Sequence, residues 1–169
     1  LVAVATILTM VQKKQEVFVE MTDEKIAECL NKLNENSKPK WGILTPQHLL
    51  EHLEHGYKIL SGEIQNFEIA TPEKILDKVH HSLYNYDKFP KGTNFPMMKK
   101  GELEDLIHPD FATAKEKFLE AREAYKIFFK ENPDAILKNM VFGMLNKYES
   151  YLLERKHLNH HFEQFGILD

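Results

Sequence analysis

The sequence predicts an all-α protein built as an antiparallel helical bundle. Helix start signals recur along the chain, apolar residues after residue 21 fall at helical spacing, and Gly, Pro and Asn break the periodic stretches apart. At 169 residues, 43% apolar and 28% charged, the chain suffices for one domain with a proper core. Its mix is that of a globular protein rather than a disordered or membrane one.

Residues 1–20 are read as an extended tail or connector and residues 21–169 as the bundle. Leu1 to Val11 is apolar but far short of the roughly 20 residues a membrane span needs. It lacks the charged start and small-residue cleavage site of a signal peptide. Its β-branched content favours a strand, and a lone strand needs a partner from elsewhere. A chain beginning at Leu also reads as a fragment of something longer.

Thr22 caps a first helix, with Asp23 and Glu24 in its positive first turn and Ile26, Leu30 and Leu33 on one face. Asn34 to Lys40, which contains Pro39, ends it. Thr45-Pro46 pairs a capping hydroxyl with proline at the first helical position, and the second helix runs to about Leu60 before Ser61-Gly62. Thr71-Pro72 repeats the signal for a third helix carrying Ile75, Leu76, Val79 and Leu83. Residues 84–109 show little periodicity and contain Pro90, Gly92, Pro96 and Gly101. A fourth helix spans about Phe111 to Lys130, closed by Asn132-Pro133. Asn146 with Glu149 has the form of a capping box for a last helix to Phe165. Gly166 is its left-handed stop, and Ile167 the apolar contact beyond it.

The net charge of −4 and the lack of a long Lys/Arg stripe argue against nucleic-acid binding. A single cysteine allows no internal disulfide and fits a reducing, cytoplasmic setting. Cys29 is in phase with Ile26, Leu30 and Leu33, as a core residue is. Nine histidines are the unusual feature.

On the second helix His52 lies at the edge of the arc formed by Leu49, Leu50, Leu53, Tyr57 and Leu60, whereas His48 and His55 fall near the solvated side. On its own helix alone, His52 reads as a core-edge histidine. On the last helix His157 and His161 share a face with Glu154, Leu158, Phe162 and Phe165, and Lys156, Asn159 and Glu163 point to water. His160 falls outside that arc, as a surface residue. Histidines at i and i+4 stand one turn apart on one face, so both can reach one ion. The alternative is two partly buried histidines, each separately hydrogen-bonded. Gathering several imidazoles and a carboxylate on an apolar face is costly unless something pairs them, and a divalent metal does so. Metal ligands are therefore expected at His52, His157 and His161, with zinc or nickel suiting three imidazoles.

Trp41 to Leu53, then Phe142-Gly143, then Lys156 to Gly166, resemble motifs of the DinB-like metalloprotein superfamily, over residues 21–168. The closest branch is one of functionally uncharacterised DinB-like domains. The resemblance implies an up-and-down four-helix bundle, with His52 as first metal ligand and His157 and His161 as second and third. It also implies thiol transfer or isomerisation using bacillithiol or mycothiol, the chemistry of characterised relatives. Many relatives carry Asp three residues after the first ligand, where this chain has His55; Glu154 is the nearest substitute. The first 15 residues resemble the closing strand and Lys-rich tail of a MaoC-like hotdog hydratase, as in phenylacetate degradation.

Two functional readings follow. One is a metal-dependent thiol transferase or hydrolase acting on a small molecule, with Glu154 as general base or ligand orienter and Tyr151 as hydrogen-bond donor or ordinary core residue. The other is a non-catalytic module that forms a homodimer or binds a partner beside a hydratase. The 84–109 segment, with Phe95, Met97 and Met98, is a candidate lid over the metal or a passive crossover.

Overall fold

The computed structural model describes residues 18–92 and 101–168. Among these, five α-helices and one short hairpin form a mainly helical fold. None of the helices is long and apolar enough to cross a membrane. The expected strand at Leu1–Val11, and Phe95, Met97 and Met98 of the candidate lid, lie outside the described residues.

Helix α1 (Asp23–Lys32) starts where Thr22 Oγ1 accepts from Lys25 N at 3.1 Å, and it buries Ile26, Cys29 and Leu30. Helix α2 (Pro46–Leu60) starts at Thr45, whose hydroxyl oxygen accepts from His48 N at 3.3 Å. Helix α3 (Glu73–His81) departs from expectation. Thr71 does not cap it, because its hydroxyl donates to Val141 O at 2.7 Å. The helix therefore begins one residue later, buries none of its own residues, and leaves Ile75 exposed. Of its expected apolar face only Leu83, in the following 3-10 turn (Ser82–Tyr84), is fully buried.

Helix α4 (Phe111–Glu131) is capped by Asp110, which accepts from Thr113 N at 2.7 Å, and buries Phe118, Tyr125 and Phe129 along its contact with α2. A hairpin absent from the sequence reading follows. Strands β1 (Leu137–Asn139) and β2 (Gly143–Leu145) pair antiparallel with Lys138 opposite Met144. Asn139 Oδ1 accepts from the amides of Val141 and Phe142, both at 3.0 Å, which closes the turn.

Helix α5 (Lys147–Phe165) has the full capping box between Asn146 and Glu149 and ends at Gly166 with φ 67°. The Ile167 amide then donates to Phe162 O at 3.0 Å. The expected watery side of α5 is the clearest correction. Lys156 and Asn159 are 2% and 1% exposed, because neighbouring chain covers them and satisfies their polar atoms. Asn159 pairs with the backbone of Val19, accepting at 2.9 Å and donating at 2.8 Å. Lys156 Nζ donates to Ser82 O, Asn85 Oδ1 and Asp87 O at 2.6, 2.9 and 3.2 Å. Burial pushes this ammonium down to about 8. Helix α5 is thus buried on several sides, with a core of Leu49, Leu50, Leu53, Phe118, Leu158 and Phe162 beside it.

Candidate metal centre

Helix α2 supplies His52, and α5 supplies His157 and His161. Gly56, one turn beyond His52, faces His157, whose Cε1 would lie at an ordinary contact distance of 3.4 Å from a Cβ there. The three rings form a tight group with centroid separations of 4.9, 4.7 and 4.7 Å. One nitrogen from each lies within 4.8 Å of the others, so the group could hold a metal ion.

The donor chemistry fits such an ion. His52 Nε2 and His157 Nε2 face each other at 2.8 Å. Two imidazole nitrogens so placed repel unless a proton or a cation stands between them. Burial, reinforced by the neighbouring histidines, pushes His52 down to about 4 and both His157 and His161 well below the usual histidine range. All three are therefore neutral near neutral pH, the state that ligates metal.

Gln164 selects the ring nitrogen of His161. Its Nε2 donates to Trp41 O at 2.8 Å, which leaves Oε1 facing His161 Nδ1, also at 2.8 Å. His161 Nδ1 accordingly carries the proton, and its Nε2 lone pair is left for the cluster. Gly42 makes room for this amide, because a Cβ there would sit 2.8 Å from Gln164 Nε2, and its φ is +78°. The Lys40 amide straps the same loop to Gln164 O at 2.6 Å. The sequence reading missed Gln164 and Gly42; the available signal was an amide one turn after a ligating histidine.

The other singled-out residues are placed differently. Glu154 Oε1 accepts from Tyr57 OH at 2.7 Å and lies 3.5 Å from Arg122 Nε. Burial raises its carboxyl, and its oxygens are not among the clustered donor atoms. Tyr151 OH donates to Glu20, which also pairs with Arg155 at 3.0 Å. His160 is partly buried rather than a surface residue, because Trp41 and Phe89 pack on it at 5.8 and 6.1 Å. His48 contacts Thr45 Oγ1 and Glu104 O at 2.6 and 2.9 Å, and His55 is exposed. His80 engages Glu149, and His108 engages Glu54.

Both described ends of the 84–109 segment attach to the helices that carry the histidines. Asn85 and Asp87 hold Lys156 of α5, while the amides of Ile107 and His108 donate to Glu51 of α2 at 2.8 and 3.0 Å. No family model, curated protein or solved structure matches the chain.

Proposed function

We propose that this chain is a DinB-like metal-binding domain, an up-and-down four-helix bundle holding one zinc or nickel ion through His52, His157 and His161. One observation carries the reading: three neutral imidazoles from two helices, with a nitrogen of each inside a 4.8 Å group. Three protein ligands leave a coordination position open, as catalytic zinc sites do. A divalent ion in that setting supplies Lewis acidity, which favours the deprotonated form of a coordinated water or thiol. Gln164 fixes the ligating tautomer of His161. Glu154, one turn before His157, lends the site a buried carboxylate shared with Tyr57 and Arg122, and Tyr151 orders the Glu20 segment beside it.

The reaction class is thiol transfer or hydrolysis on a small-molecule substrate, by a cytoplasmic homodimer. The resemblance of residues 1–15 to the end of a hotdog hydratase supports a link to phenylacetate degradation. A second reading, a non-catalytic dimerisation or partner-binding module, draws on the engagement of Glu154, the carboxylate one turn before His157, by Tyr57.

Thermal melting of chelator-stripped protein with and without zinc tests the reading. An ion that binds only the native state raises Tm. The rise is expected in the unaltered chain and absent in His157→Ala. No rise in either, or the same rise in both, contradicts it. Turnover of thiol or ester substrates by the zinc-loaded chain separates the enzyme from the module.

A further inference from the structure

Glu154 also belongs to a second feature of the surface. Between Tyr125 and Phe129 of α4 and Tyr148 and Tyr151 of α5 lies a pocket of about 490 Å³, with Glu154 in its lining. That volume falls among small-molecule sites, which span about 300–1,000 Å³. None of the three clustered histidines lines it. Two of its rings, Tyr148 and Tyr151, stack at 6.2 Å with 28° between planes, and Tyr125 meets Phe129 edge-on at 5.5 Å. Aromatic faces present negative charge density and attract organic cations.

The polar groups point the same way. Glu154 accepts from Tyr57 OH at 2.7 Å and stands 3.5 Å from Arg122 Nε; its carboxyl oxygens take donors, and an N–H group of a ligand suits them. The Glu154 side chain is 11% exposed. Lys126, which also lines the pocket, is paired with Asp23 and Glu123 at 3.0 and 2.9 Å. Lys147, at the first position of α5, makes another part of the wall basic.

We propose that this pocket binds a small organic ammonium ion, its N–H groups directed at Glu154 and its carbon frame packed on the tyrosine faces. Lys147 suits a carboxylate at the far end of such a ligand, as in an amino acid. None of the three histidines lines the pocket and binding requires no metal, while Glu154 is shared with the metal site proposed above.

The test titrates the full chain, by nuclear magnetic resonance, with 2-phenylethylammonium and its neutral and anionic counterparts, 2-phenylethanol and 3-phenylpropionate. The ammonium probe should bind saturably and about tenfold more tightly than either counterpart. Glu154→Gln and Tyr148→Ala should each weaken it several-fold. Tyr148 is 59% exposed, so its truncation leaves the fold intact and decides the matter even where Glu154→Gln unfolds. Equal affinity for all three probes, no saturation by the ammonium, or binding untouched by Tyr148→Ala overturns the proposal.

Discussion

His161 enters the cluster with its tautomer already chosen, because the Gln164 amide is itself oriented by Trp41 O. Removing that orienting partner should matter without removing a ligand. Gln164→Ala is expected to lower zinc affinity about 10- to 100-fold, the usual range for groups that orient ligands, as read by competition with a chromogenic chelator. Gly42→Ala should act on the same chain of contacts. A side chain at φ +78° costs about 1–3 kcal/mol, and its Cβ would displace the Gln164 amide. Urea denaturation should show the stability loss and the chelator titration a parallel loss of affinity. A Gly42→Ala protein of unchanged stability would refute the close approach. The spacing of Gln164 after His161 was the one signal the sequence held; the role of Gly42 was illegible because it depends on a loop, 40–42, that folds back across α5 from far along the chain.

At the scale of elements, the local signals were legible and the long-range ones were not. Thr22, Thr45, Asn146 and Gly166 act within a few residues of themselves, so sequence spacing alone locates them. Thr71 carries the same signal, but the hairpin carbonyl of Val141 takes its hydroxyl. Lys156 and Asn159 read as a watery face because polarity is all a helical wheel contains. Their buried partners, Val19 and the 82–87 segment, come from the other side of the chain. The three-residue strands are too short to show a period.

Helix α3 has no buried residue of its own, and His80 fastens it to the body. Its Nδ1 faces Phe142 O at 2.8 Å and its Nε2 faces Glu149 at 2.7 Å, both acceptors, so the bound ring carries two protons. Tyr84 donates to the same carboxylate at 2.6 Å, and Asp77 adds attraction. Burial opposes the charge, but these hydrogen bonds and the Glu149 carboxylate raise His80 above its ordinary 6.5. The sign follows. A raised histidine contributes fully below about 6.5 and loses its contribution as pH rises through the folded value. Glu149 is lowered from 4.5, despite burial, by its hydrogen bonds to Tyr84, Asn146 and His80. Its part is present above 4.5 and fades as pH falls. Stability from the clasp therefore peaks between those limits. The lowered His52, His157 and His161 impose the opposite trend on the whole protein, so the clasp is read as a difference: the urea midpoint lost in His80→Gln should shrink from mildly acidic to mildly alkaline pH, and a loss that does not change with pH would remove the clasp.

For the whole molecule, the sequence revealed the histidine cluster because it needs only two helices and two spacings. An i, i+4 pair and one arc-edge histidine converge wherever α2 lies beside α5, whatever the connections between them. The residues before Phe18 give a prediction at the same scale. The described chain is already tied down at Val19 by Asn159. Deleting residues 1–15 should leave helicity and melting temperature nearly unchanged by circular dichroism, and collapse of the helical signal would show that the segment belongs to this core. Metal stoichiometry tests the central claim most directly, by elemental analysis of tag-free protein after dialysis against zinc. The account predicts one ion per chain, lost on replacing His52, His157 or His161 by Ala and kept in His80→Ala and His108→Ala. A chain that binds no zinc, or that keeps its ion when any one of the three is removed, would contradict it.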